Sequence, residues 1–242
     1  MQHLSEAKPR RSLELVQSFF LLLPYNIVMM TSPLLDREEY IEQAYFYRTF
    51  RERAAENMPA QDILAGLHQE VLSSTRLPLA VEFLATEIRH TGLLASGFQR
   101  LSHYFNPFQA FIAGQCEVDN KRFSLDTALL VLEREAKYRA ESPTPQGLFV
   151  YQFETICRNR LGYFEGLTAM SGDPLYTADW KNYLETVRSS VGVVDFGDLV
   201  YYRSEWAVSE QRRKNPHFVP HVPALFGENA TFGSSKTESP LT

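Results

Sequence analysis

Cysteine is nearly absent from this chain. Cys116 and Cys157 are the only two in 242 residues, and no C-x-x-C spacing joins them. Two isolated thiols cannot make a disulfide framework, so buried thiols in a reducing cytoplasm are the expectation. The phosphate-binding and nucleophile signatures are also missing. There is no G-x-G-x-x-G, no P-loop and no G-x-S-x-G, and Gly162, Gly166 and Gly172 are scattered breakers that form no cradle. Positive charge is not in excess. With 24 Lys and Arg against 29 Asp and Glu, the formal net charge is -5, which gives no global attraction for nucleic acid or acidic membranes. Long apolar runs are lacking too. The longest, from Phe19 to Met30, is interrupted by Pro24, Tyr25 and Asn26 and is too short to span a bilayer, so no membrane partner is expected. No repeat of fixed period occurs.

What is present is material for a core. Hydrophobic residues make up 44% and aromatics 13%, while charged residues at 22% are too few for wholesale disorder. The length suits one large domain or two small ones. Residues 1–33 stand apart. Lys8, Arg10 and Arg11 ahead of the apolar run imitate a signal peptide, but Glu14, Gln17 and Pro24 dilute it and no small-x-small cleavage site comes after. The segment is read as a flexible extension, or as an artefact of a start that truly lies at Met29 or Met30. Mass spectrometry of the native N-terminus separates these readings.

From Asp36 onward the periodicity is helical. Residues 36–57 put Tyr40, Phe46, Tyr47, Phe50 and Ala54 on one broad face, and Arg37, Glu42, Arg48, Glu52, Arg53 and Glu56 on a solvated one. A second helix carries Ile63, Leu64, Leu67 and Val71, and a third runs from Thr75 to about His90. Asn106-Pro107-Phe108-Gln109 has the form of a capping box. Leu125 to Ala140, behind Ser124, carries a narrow apolar stripe. Gly147 to Tyr163, capped by Thr144, is the densest aromatic stretch. On a helical wheel its Phe149, Phe153, Ile156 and Cys157 share one side with Phe164, and Arg160 lands among them. Thr177 caps the next helix, and Asp195 caps a last one through Lys214. The expected fold is an all-α domain over residues 34–214 with roughly eight helices. Residues 215–242, rich in Pro, Gly and Ser, are expected to be a disordered tail.

Three groups of residues are candidates for chemistry or binding. Arg160, if buried, needs a carboxylate, and Glu87 on the apolar arc of the third helix is the proposed mate. The competing explanation is that Arg160 curls out to water at its helix end. Glu87-Ile88-Arg89-His90 has the Glu-x-x-His spacing of helical di-iron sites, but such sites need a second copy and further glutamates, and this chain has no second copy. No metal site and no cofactor are therefore predicted. Arg203, Arg212, Arg213 and Lys214, interleaved with Tyr201, Tyr202 and Trp206, form the best nucleic-acid candidate. A positive helix end that complements the dipole, with its aromatics turned inward, explains them as simply. Asp195-Phe196-Gly197 matches a kinase triplet with none of its companions. The leading expectation is a non-catalytic protein-interaction or scaffold module that binds a protein partner or itself. An enzyme or small-ligand binder with a polar pocket around Glu87, His90 and Arg160 is the first alternative. A regulator contacting nucleic acid through the last helix is the second.

Overall fold

In a computed structural model, the structure describes residues 34–118 and 123–227. The expectations for residues 1–33 and 228–242 lie outside the described residues. The described chain is all-helical, with eleven α-helices and two isolated β-bridges. The helices are α1 (Arg37–Ala55), α2 (Ala60–Glu70), α3 (Leu77–Thr91), α4 (Leu94–Arg100), α5 (Pro107–Cys116), α6 (Leu125–Ala140), α7 (Pro145–Arg158), α8 (Tyr163–Ser171), α9 (Ala178–Ser190), α10 (Phe196–Tyr201) and α11 (Glu205–Lys214). Eleven replaces the roughly eight expected. The stretches after Gly92 and Gly162 form the true helices α4 and α8. The last helix is two, because the chain turns at Tyr202–Ser204 and Ser204 caps a fresh start, its Oγ accepting from Ala207 N at 3.2 Å.

The longest element, α1, lies along α6 although the two are far apart in the chain. Arg37 Nε donates to the carbonyl of Ala140 at 3.0 Å, and Arg51 meets Glu133 at 3.3 Å. α2 pairs with α3, α4 with α5, and α8 with α9, while α5 also touches α6 and α8. Tyr47, Phe98, Phe105, Phe108 and Phe149 are all fully buried in the continuous core that results. The solvated face expected on α1 is only partly so. Glu39 and Glu42 are buried and accept from backbone N–H groups at the start of α3 and the end of α2: Arg76 N at 2.8 Å and Leu72 N at 2.8 Å. Arg76 N opens α3, where no intrahelical carbonyl is available to it, and Leu72 N lies just past the end of α2 in extended chain, so in both places a carboxylate of α1 supplies the acceptor.

The Gly147–Tyr163 stretch is helical only to Arg158. Asn159 ends α7 and Arg160 turns left-handed, at φ 54°. Arg160 N donates to Cys157 O at 3.2 Å and Leu161 N to Ile156 O at 3.0 Å. This pair of bonds is the Schellman closure, with an arginine where glycine is usual. The apparent anomaly on the helical wheel arises because Arg160 does not belong to the helix. Leu161 takes the buried place instead, and Arg160 is exposed. Phe164, expected on the apolar face, is exposed under the guanidinium of Arg188, while Tyr151 is buried and donates to Val131 O at 2.7 Å.

The stretch after Lys214 also departs from expectation. The chain doubles back as an irregular linker and then buries Leu225 and Phe226 in the core. The ring of Phe226 sits among Phe149, Trp180 and Tyr183 at centroid distances of 6.0, 5.3 and 5.8 Å. A domain edge at residue 214 leaves these two out. Their contribution is invisible in a stretch whose composition reads as a loop.

Candidate functional site

The polar pocket proposed around Glu87, His90 and Arg160 does not form. Glu87 is buried, but Arg100 NH1 meets its Oε2 at 2.5 Å and Ser96 Oγ donates to its Oε1 at 3.1 Å. Both partners come from α4, packed on α3 just past the Gly92 turn. Arg160 is exposed on its left-handed turn, and His90 is exposed as well. The pairing of Glu87 with Arg160 is therefore corrected to Glu87 with Arg100, a sequence-local contact across a tight helix corner. Among the described residues no group of three or more His, Cys, Asp or Glu side chains could hold a metal ion.

The basic candidates divide. Arg203 is half-buried, its guanidinium 5.2 Å from the Tyr183 ring centroid and its Nε donating to Pro223 O at 3.2 Å. It faces the returning chain, and the pull of burial lowers its pKa from the ordinary value. Arg212, Arg213 and Lys214 are exposed at the end of α11, and Arg213 NH2 lies 2.6 Å from Glu210 Oε1. Arg203 is thus engaged with the returning chain, while the other three stand exposed at the helix end.

The strongest polar arrangement in the molecule is one that the sequence did not point to. Arg139, near the end of α6, has a side chain only 1% exposed, between Glu135 and Asp173 at 0% each. Its Nε and NH2 donate to Glu135 Oε1 at 2.9 and 2.8 Å, NH1 donates to Asp173 Oδ1 at 3.3 Å, and NH2 makes a closer contact with Asp173 Oδ2. Gln152 of α7 donates to Glu135 Oε2 at 3.4 Å and accepts from the Tyr176 hydroxyl at 2.9 Å. Asp173 Oδ1 also accepts from Leu175 N at 2.9 Å, which fixes the turn between α8 and α9. One cation thus ties α6 to the α8–α9 turn, with α7 joined through Gln152.

Burial pushes the Glu135 carboxyl above the usual carboxylate range, against the opposing pull of Arg139. The two carboxylates hold the Arg139 guanidinium charged. Tyr176 is likewise pushed up by burial. A shallow cleft of about 490 Å³ between the start of α1 and the end of α6 includes Arg37, Tyr40, Arg139 and Ser142 in its wall. The guanidinium groups facing it are already engaged: Arg37 Nε with Ala140 O, and Arg139 with its two carboxylates. The cluster ties three segments of the fold together. Burial raises both thiols, Cys116 to about 11, which disfavours the nucleophilic thiolate at each.

A different kind of surface lies at the far end of the chain. The helix α10 buries no residue and α11 buries only Ala207 and Val208. Instead the rings of Tyr201, Tyr202 and Trp206 gather on the outside. Tyr201 is 5.3 Å from Tyr202 and 5.5 Å from Trp206, with Tyr202 67% and Trp206 60% exposed. These aromatics, expected to turn into the core, turn out of it.

No protein-family model, no curated protein and no solved structure matches the chain.

Proposed function

We propose that this protein is a non-catalytic interaction module that binds another protein surface through Tyr201, Tyr202 and Trp206. The observation that carries this reading is the exposure of Trp206 within a packed aromatic cluster on the outer side of α10 and α11. Exposed contiguous apolar area marks recognition sites on soluble proteins, and Trp and Tyr supply most of the binding energy where interfaces have been dissected. Burial of a residue such as Trp206 is favourable at about 25 cal/mol per Å² of apolar surface, so covering this cluster is a real driving force.

The polar-pocket alternative loses its support once Glu87, His90 and Arg160 part company. The nucleic-acid alternative loses its own because Arg203 is turned toward Pro223 and Arg213 is paired with Glu210. A reducing cytoplasm remains the proposed compartment, in keeping with the two unpaired thiols. Among the described residues no helix is long and apolar enough to cross a membrane.

Chemical crosslinking of the protein in its native cell, read by mass spectrometry, tests the module. Crosslinks to partner chains should concentrate on residues 196–214 and disappear in Trp206→Ala. Crosslinks spread evenly, or unaltered by that substitution, would remove the reading.

A further inference from the structure

We propose that the groove holding Leu225 and Phe226 is a peptide-recognition site, and that its partner in trans is the same strap from a second copy of this chain. The inference rests on the reading of the protein as an interaction module, and it names the partner.

The strap is bound as a peptide ligand is bound. Leu225 N and Phe226 N both donate to Arg203 O, at 2.8 and 3.1 Å, and Phe226 O accepts from Glu205 N at 2.7 Å. Gln146 Nε2 donates to Leu225 O at 2.7 Å, so the Leu225–Phe226 backbone is held from both sides. Main-chain bonds of this kind supply affinity, and the side-chain pocket supplies specificity. That pocket is the aromatic box of Phe149, Trp180 and Tyr183 around Phe226.

The linker contributes nothing comparable. Residues 215–224 contain no helix and no buried residue, and Pro216, Pro220 and Pro223 restrict them. Val219 is 81% exposed and Val222 46%. Exchange between two copies would therefore preserve every bond and ring contact of the anchor, leaving only the entropy of association opposed to it. Two identical straps and two identical grooves close into a two-fold pair, the ordinary route of domain swapping. In that pair the two linkers cross between the copies, where Val219 and Val222 gain cover that a single copy does not give them. A strap tied by a short linker competes for its own groove at an effective concentration on the order of 1 mM. Exchange is therefore weak in the unaltered chain and becomes strong when the strap cannot reach home.

The geometry provides that condition. The linker leaves the C-terminal end of α11, and the anchor lies at its N-terminal end beside Glu205. A ten-residue helix is about 15 Å long. Deleting residues 215–222 leaves Pro223 and Ala224 as linker, whose three Cα steps reach at most about 11 Å.

The deletion variant should therefore sediment at twice the monomer mass. It should return to monomer on adding Phe226→Ala, or on adding an excess of a synthetic peptide spanning Val219 to Gly227. A monomeric deletion variant that keeps its helical circular dichroism, or a dimer indifferent to Phe226→Ala and to the peptide, would overturn the proposal. Should the deletion lose its helices, the full-length chain decides. Phe226→Ala should bind the labelled peptide at least tenfold more tightly than the unaltered chain, since its own strap no longer competes. No binding, or equal binding by both, overturns it. If the deletion variant keeps its helices and stays monomeric while crosslinks of the unaltered chain still concentrate on residues 196–214 and disappear in Trp206→Ala, strap exchange falls while the module reading stands.

Discussion

The interior between α6 and the α8–α9 turn and the outer surface of α10 and α11 are built on opposite terms. The first places a guanidinium and two carboxylates out of water and satisfies them with bonds to one another, to Gln152 and to a backbone N–H. The second leaves three large aromatic rings exposed to water and packed on one another. A buried charge with partners resists any change to a single member, because the remainder is left uncompensated. An exposed aromatic tolerates change in the free protein and matters only when something covers it. Stability and recognition are therefore expected to respond to different substitutions.

The largest effect should come from breaking the interior. Arg139→Met is expected to lower stability by about 3–5 kcal/mol, since Glu135 and Asp173 would be left facing each other without a cation. Urea unfolding measures it, and a loss below about 1 kcal/mol would mean the cluster is solvated after all.

A subtler probe is pH. Burial raises the folded carboxyl of Glu135 above its usual value of 4.5, so protonation favours the folded state. The contribution is fully present below about pH 4.5 and is lost as the pH rises through the folded pKa. Glu135→Gln should then remove a stability decline between acid and neutral pH that the unaltered protein displays. Glu117 shifts in the same direction through burial, so the difference between variant and parent carries the test, and identical pH profiles would refute it.

Next in size is Arg160→Gly, which relieves a left-handed non-glycine residue costing about 1–2 kcal/mol and gives part of that back as unfolded-chain entropy. A rise of about 0.5–1 kcal/mol in unfolding free energy is expected. A fall would assign the exposed guanidinium a stabilising partner. The smallest effect on stability should come from Trp206→Ala, within about 0.5 kcal/mol as for other surface positions. Its emission gives the check. Trp180 is buried and Trp206 exposed, so the variant should lose the long-wavelength component and keep its thermal midpoint.

Signals that act locally are legible in the sequence. The Asn106 capping box forms with both bonds in place, Gln109 N to Asn106 Oδ1 at 2.9 Å and Asn106 N to Gln109 Oε1 at 3.0 Å. Ser124, Thr144, Thr177 and Asp195 cap the helices they precede. The Glu135–Arg139 pair escapes such reading for a physical reason. At i,i+4 on a helix it looks like an ordinary solvated ion pair, and only Asp173, 34 residues away from Arg139, marks it as interior. A usable hint is that α6 carries apolar residues beyond its main stripe, with Val131 also buried, so it has more than one face to cover. Arg160 misleads in the opposite sense. A wheel drawn past the true helix end assigns a face to a residue that has left the helix. Phe226 is hidden by composition, since the prolines before it announce a loop and carry no sign that the chain beyond them returns to the core.

The pairing of α1 with α6 has a kinetic consequence. Arg37 and Ala140, joined by a hydrogen bond, are 103 residues apart in the chain. Most helical proteins fold quickly because their contacts are local, and the rate falls as sequence separation grows. Here the central helix pair closes only after α2 to α5 have been gathered into the intervening loop. Refolding should accordingly run slower than in a bundle of successive hairpins of equal size, with the α2–α3 and α4–α5 pairs forming ahead of the central contact.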